Sequence, residues 1–352
     1  MNLLSILVLC GGQSTEHEIS LLSAKNVMEQ LDLKKYHVSV AKIDHDGTWY
    51  YFKNTQDYFS HSHSHPIHIL PGQKTPFFAE NKPIPVDCIF PVLHGTNGED
   101  GTVQGLFEIL QIPYVAADCL GSAIAMDKDI AKQLMRAAGI PVVDWKIIHQ
   151  SDSTINYDDI KKQLGETVFI KPNSLGSSVG VKKAVDEKSF YAAIEDAFRY
   201  DDYILIEKAI IGREIECSVL GNEHPKASLP GEIINHTEFY SYEAKYLDDA
   251  AATVKTPAHL SSELVLQFQT LAIKAFQTLR CSGMARVDFF LDNNNKIYIN
   301  EINTIPGFTN ISMYPKNWEA SGLSYPALLD ELIRLGIKRF ERKKMLTRVF
   351  SV

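Results

Sequence analysis

Arg286, Asp288, Glu301 and Asn303 lie on two apolar runs, GMARVDFFL and KIYINEIN, separated by the Asn-rich stretch DNNN. Runs rich in Val, Ile, Phe and Tyr around such a stretch predict an antiparallel hairpin. Asn294 and Asn295 suit a two-residue type I′ turn, which needs φ > 0 twice and which Asn tolerates. Asp288 then falls opposite Glu301, and Arg286 opposite Asn303. Side chains alternate along a strand, so these four share one face, and Val287, Phe289, Leu291 and Ile302 share the other. Two carboxylates and an amide carbonyl at one end of a sheet form a hard-oxygen site suited to Mg²⁺, and the nearby Arg can hold an anion. A surface salt-bridge patch would have the same composition. A loop one residue different in length would place Asp288 opposite Asn300 and undo the arrangement.

Other segments carry phosphate-type chemistry. VFIKPNSLGSSVGV (168–181) reads as strand, loop, strand. Small residues at 176–178, Ser177 and Ser178 among them, and Gly180 let backbone N–H groups approach an anion, and Lys171 can reach a phosphate. The segment lacks the Gly-Lys-Ser/Thr ending of a Walker loop, so it is either a hairpin without ligand or a lid over a triphosphate. In DYILIEKAI (202–210) the edge backbone from Lys208 through Ala209 to Ile210 can meet a purine, with Glu207 accepting from its amino group and Glu214 from ribose hydroxyls. An exposed strand-end salt bridge would read the same way. Thr15 and Glu18 match a helix-capping pair, which leaves Glu16 free to hold a ligand ammonium.

The elements that must position these groups follow from pattern. A buried strand over 3–10, a turn at Gly11 and Gly12, a helix over about 16–31 with Leu21, Ala24, Met28 and Leu31 on one face, and the strand YHVSVAKID predict a doubly wound sheet with its crevice at the strand C-terminal ends. Residues 54–85, including HSHSHPIH (61–68), read as a loop with incidental His. PVDCIFPVLHG reads as a further strand. A helix over about 128–138 is capped by Asp127, lined by Ile130, Leu134 and Ala138, and stopped by Gly139 and Pro141. Boundaries near 120 and 210 divide the chain into residues 1–120, 121–209 and 210–352.

The 352 residues are too many for one simple core. A net charge of −8 argues against nucleic acid as the main partner but not against a local phosphate site. The five Cys show no CxxC spacing, as expected of free thiols in a reducing cytoplasm. MNLLSILVLC lacks a basic leader, so a first strand is expected rather than a signal. No apolar run approaches the roughly 20 residues that span a bilayer, and no membrane partner is expected.

Taken together, GGQSTEHEIS, LHGTNGEDGTVQG, AMDK, IKPNSLGSSVG, LIEK, FYSYEAKY, ARVDFF and NEINTIPGFT resemble, in order and over nearly the whole chain, the D-alanine–D-alanine ligases of the ATP-grasp superfamily. The resemblance implies a Rossmann-like N-terminal (pre-ATP-grasp) domain, then a central lid domain and a C-terminal domain that together grip ATP. It implies ATP and D-alanine as substrates, two Mg²⁺ ions (Mn²⁺ in their place), a cytoplasmic homodimer and peptidoglycan-precursor synthesis. By position, Glu16 orients the first D-alanine, with Ser177 and Tyr246 completing a hydrogen-bonded set and His94 near its carboxylate. Lys128, Lys171, Ser178 and Lys245 match phosphate contacts, and Glu207, Lys208, Ala209, Ile210 and Glu214 the nucleoside stretch. Asp288, Glu301 and Asn303 match the metal ligands, Arg286 and the Gly307 N–H the oxyanion stabilisers, and Ser312 with Met313 the second D-alanine site. Ala209 stands where many relatives carry an aromatic, so weaker adenine stacking is expected. The His-rich stretch is an insertion relative to compact relatives. The alternative is a D-alanine–D-lactate or other carboxylate–amine ligase; Tyr246 follows the dipeptide-forming pattern.

Overall fold

A computed structural model describes residues 3–152, 155–235 and 252–347; Lys245 and Tyr246 lie outside the described residues. Leu4–Gly11 pairs in parallel with Tyr36–Ile43 on one side and Cys88–Pro91 on the other. Both faces of these strands are covered, which is why ILVLC runs without polar interruption. Trp49–Phe52 and His65–Pro66 extend this sheet antiparallel at one edge.

The helix His17–Gln30 crosses from the first strand to the second and buries Ile19, Ala24, Val27 and Met28 together with Ser20 and Ser23. Leu21 is only partly buried. Thr15 is not its cap: Glu16 is the N-cap residue, and it makes no side-chain cap bond. The Ser14 hydroxyl receives the Glu16 N–H at 3.1 Å and donates to the His94 carbonyl at 2.8 Å. The start of the helix is thereby tied to the loop after Cys88–Pro91.

Residues 54–85 are more ordered than expected. They hold the helix Thr55–Phe59 and the short strands His65–Pro66, His68–Ile69, Phe77–Ala79 and Lys82–Pro83. Phe77, Ala79 and Ile84 bury against Leu7, Leu9 and Phe107, which gives the segment a core. Strands of two or three residues are too short to show a period in sequence.

Lys182–Ala184, Val168–Pro172, Tyr203–Lys208 and Trp145–His149 form an antiparallel sheet with its own core, including Ile148, Ile170, Phe190 and Ile206. A larger antiparallel sheet runs Ala252–Lys255, Gly231–Asn235, Gly212–Gly221, Gly283–Asp292, Ile297–Asn303. The helix Ser262–Thr278 covers its apolar face, setting Phe268 edge-on to Phe289 at 5.1 Å. The last helix, Tyr325–Lys344, returns to the first sheet and packs Leu328, Leu329 and Leu332 in one core with Ile6 and Val8. The architecture is α/β around the first sheet and α+β around the two antiparallel sheets that follow.

Between them lies the helix Lys128–Ala137, capped as expected by Asp127 through the Ile130 N–H at 2.9 Å. Its buried face is not the expected one. Ile130 and Leu134 are exposed, and Ala131, Lys132 and Met135 are buried, because Lys128 and Lys132 turn inward toward carboxylates on the neighbouring strands. Among the described residues no helix is long and apolar enough to cross a membrane.

Candidate active site

The strands Gly283–Asp292 and Ile297–Asn303 set Asp288 opposite Glu301 and Arg286 opposite Asn303. The expected pairs form, but by a different route. The turn has three residues, 293–295, closed by the Asp292 N–H on the Lys296 carbonyl at 3.0 Å, and of these only Asn295 takes positive φ, 59°. The longer loop shifts the register, so that Leu291 meets Ile297 and Phe289 meets Ile299. An irregularity between Asp288 and Phe289, with Asn300 as the extra residue of the facing strand, shifts it back. Asn300 and Glu301 consequently both sit on the polar side, which a regular strand forbids.

Arg286 holds Asp288 through two 2.7 Å bonds and reaches Glu216 at 2.9 Å. Glu216 stands opposite Asp288 on the neighbouring strand Gly212–Gly221. Asn303 donates Nδ2 to Asp288 at 2.9 Å.

Glu16 is buried and accepts the Ser177 hydroxyl. A Cβ on Gly95 would lie 2.6 Å from Glu16 Oε2, so any side chain there would push that carboxylate aside. Ser177 and Ser178 take φ of 52° and 61°, an uncommon region for non-glycine residues and one that recurs at ligand clamps. Glu16, His94, Ser177, Arg286, Gly307, Ser312 and Met313 line one cavity of about 100 Å³. A Cβ on Gly307 would lie 2.8 Å from Ser312 Oγ, so the absence of a side chain brings the two together. Ser312 also opens the helix Met313–Ala320. A helix N-terminus beside a hydroxyl suits a carboxylate.

A larger cavity, about 680 Å³, is lined by Lys128, Lys171, Ser178, Glu207 to Ile210, Glu214 and Asn300. Lys171 Nζ lies 2.7 Å from Glu207 and donates to Asn300 Oδ1 at 3.1 Å, and Lys132 Nζ lies 2.9 Å from Glu207. Burial pushes the Glu207 carboxyl up, but Lys132 and Lys171 outweigh it and hold it below its ordinary value. Lys128 Nζ lies 3.6 Å from Glu301 and donates to the Leu175 carbonyl at 2.5 Å. The N–H groups of Lys208 and Ala209 are taken by the carbonyls of Asp144 and Thr167. Gly176 and Glu301 line both cavities, so the acid stands in the wall between them.

The family model described as "D-ala D-ala ligase N-terminus" matches residues 5–117, and "D-ala D-ala ligase C-terminus" matches 134–334. The chain belongs to the D-alanine–D-alanine ligase family. Among its relatives in that family is the D-alanine–D-alanine ligase of Coxiella burnetii (strain RSA 493 / Nine Mile phase I), 51% identical, covering 99% of this chain and 98% of the relative. The ligase of Oceanobacillus iheyensis is 47% identical, covering 96% of each. A solved D-alanine–D-alanine ligase from Coxiella burnetii superposes with a TM-score of 0.90 at 48% identity, over 98% of this chain and 97% of that one. A VanG D-Ala:D-Ser ligase from Enterococcus faecalis gives 0.87 at 36% identity, over 95% and 100%. A Bacillus anthracis D-alanine–D-alanine ligase complexed with ATP gives 0.75 at 31%, over 97% and 100%. The α/β and ATP-grasp architecture of this ligase-family chain is that of these structures.

Four side chains of this family member stand at the site without having been singled out in the sequence. Glu216 follows Glu214 on one strand and shares Arg286 with Asp288. Lys132 lay inside an amphipathic helix whose apolar stripe pointed elsewhere. Asn300 enters only through the irregular register. Glu99, in the Gly-rich loop after His94, is buried, and burial together with Glu16 raises its carboxyl to about 8. Its HGTNGEDG setting was the one available signal.

Proposed function

We propose that the chain joins two D-alanine molecules into D-alanyl-D-alanine while converting ATP to ADP and phosphate, in the cytoplasm, for peptidoglycan-precursor synthesis. The observation that carries this reading is the pair of cavities, one small and one long, separated by Glu301 and the glycine of the serine loop. Such a pair suits a small zwitterion set against the end of a triphosphate.

A carboxylate is a poor electrophile. Taking the γ-phosphoryl group makes it an acyl phosphate, and the amine of the second D-alanine then attacks its carbonyl carbon and expels phosphate. Lys128 and Lys171, Ser178 and the Lys245 of the sequence pattern offset the charge of triphosphate and carboxylate meeting. Glu207, the Lys208 carbonyl and the Ile210 N–H recognise the purine, Ala209 packs beside it, and Glu214 takes the ribose. Glu16 holds the first ammonium, with Ser177 and Tyr246 closing the loop over it. Arg286 and the Gly307 N–H meet the oxyanion, and Ser312 with Met313 and the helix start hold the second carboxylate.

Asp288, Glu301 and Asn303 would hold two Mg²⁺ or Mn²⁺ ions. The donor set fits a hard cation: two carboxylates and an amide on one face of the sheet. Asn303 faces Asp288 with its nitrogen, so a cation would take the opposite amide orientation. Bound there, the ions supply charge neutralisation between the two substrates. The homodimer implied by the family is part of this proposal.

The test is incubation with ATP, Mg²⁺ and D-alanine, followed by product analysis. D-alanyl-D-alanine with stoichiometric, D-alanine-dependent ADP release is expected. ADP release that yields dipeptide or depsipeptide only when D-serine or D-lactate is added would move the chain to a different acceptor. Steady nucleotide binding without turnover would reduce it to a binding module.

A further inference from the structure

The turn that carries Gly307 is gripped at four backbone points by side chains of the first region. The Ile305 N–H donates to Glu99 Oε1 at 3.2 Å, and the Ile305 carbonyl accepts from His94 Nδ1 at 3.0 Å. The Phe308 N–H donates to Ser23 Oγ at 3.2 Å, and the Phe308 carbonyl accepts from Asn26 Nδ2 at 3.1 Å. Glu99 spends its other oxygen on the Gly95 N–H of its own loop at 2.9 Å. His94 Nε2 lies 3.3 Å from Ser23 Oγ.

A neutral imidazole satisfies this set. A carbonyl can only accept, so His94 carries its proton on Nδ1. Its Nε2 then accepts from the Ser23 hydroxyl, whose oxygen is left to take the Phe308 N–H. The chain is closed with a neutral imidazole, in keeping with burial having pushed His94 down to about 4. Pro306 has no N–H, and those of Ile305 and Phe308 are occupied. The Gly307 N–H remains, on the wall of the amino-acid cavity.

We propose that Glu99, His94, Ser23 and Asn26 are positioning residues: they clamp the peptides on either side of Gly307 and so aim its N–H at the oxyanion. The proposal rests on the reading of Gly307 as an oxyanion donor. It gives His94 a task different from meeting a substrate carboxylate, since both of its ring nitrogens are engaged within the protein. Fixed donors help a transition state because nothing has to reorganise at the moment of reaction. A misplacement of about 1 Å can cost roughly a hundredfold in rate. The clamp also joins the first region to the strand that ends in Asn303, so the donor is set by contacts up to 285 residues away in sequence.

Ser23→Ala, Asn26→Ala and Glu99→Gln test this with three readouts: kcat, the affinity of ADP, and the affinity of a phosphinate mimic of the tetrahedral adduct. Each variant should lower kcat by roughly tenfold or more and weaken the phosphinate in parallel, with ADP affinity unchanged. Ser23→Ala combined with Glu99→Gln should lose less than the product of the single losses, since both hold one turn. Unchanged phosphinate affinity, a matching loss of ADP affinity, or strictly multiplicative effects would overturn the clamp. If Glu99→Gln does not fold, the other two variants decide. A wild-type protein that makes no dipeptide would sink the ligase reading itself, whereas an active wild type with fully active variants would sink only the clamp.

Discussion

Asn300 and Glu301 are consecutive in the chain, yet both side chains line the larger cavity. One receives the Lys171 ammonium and the other pairs with Lys128. A strand normally sends neighbours to opposite faces; the register shift beside Asp288 is what brings the two together.

Asn300→Ala should therefore loosen Lys171 without touching the proposed metal ligands Asp288, Glu301 and Asn303. A hydrogen bond to a charged group contributes roughly 1.5–3 kcal/mol, so the KM for ATP should rise by about tenfold or more while kcat changes little. Steady-state kinetics at saturating D-alanine check this. An unchanged KM would mean that Glu207 alone holds the lysine.

Glu301→Ala should nearly abolish turnover, by roughly a hundredfold or more, and leave the fold intact, because its carboxylate is only part-buried and packs no core. Circular dichroism and kcat at saturating Mg²⁺ are the measurements. Full activity there would remove Glu301 from the metal site.

Arg286→Met should fail in two ways at once. It removes the proposed oxyanion donor, a loss of roughly a hundred- to a thousandfold in kcat. It also removes the guanidinium that Glu216 and Asp288 share. Breaking a fully buried pair costs about 3–5 kcal/mol; with the guanidinium 19% exposed, about 2–3 kcal/mol is expected. A lowered Tm together with the kinetic loss is the expected result. A kinetic loss at unchanged Tm would mean that the two acids do not depend on Arg286 for stability.

Acid should destabilise the protein in part through His94. Burial holds its folded value at about 4, below the ordinary 6.5. Between those values the unfolded chain binds the proton and the folded one does not, so stability falls as pH drops from 6.5 toward 4. The slope is up to about 1.4 kcal/mol per pH unit for this one group. Glu99 works in the opposite sense, since a carboxyl raised to about 8 favours the folded state at the acid end. Urea titrations of wild type and His94→Gln across this window should differ by one proton's slope. Identical slopes would place the titration elsewhere.

Much of this site was legible in the residues. The apolar alternation around Asp288 and Glu301 told which residues share a face, and that survives any compensated change of register. Asp127 before an amphipathic stretch told where a helix starts. The first strand and its parallel partners followed from unbroken apolar runs. Thr15 failed as a cap because the helix opens one residue later, at Glu16, whose N–H meets Ser14 on its way to the loop after Cys88–Pro91. Ile130 and Leu134 failed as core because buried lysines claimed the inward face of their helix.

The amino-acid sequence by itself determined the chemical inventory: hard-oxygen donors on one face of the sheet, a small-residue loop beside a lysine, and an order of segments belonging to one ligase family. Those are properties of local pattern and residue type, which act over a few neighbours. Only the tertiary structure decided that a three-residue turn and a bulge cancel, that Glu216 and Lys132 enter the site, and that Glu99, His94, Ser23 and Asn26 grip a turn more than two hundred residues away. Such contacts are fixed by how three sheets pack around one junction, and no local pattern encodes that distance.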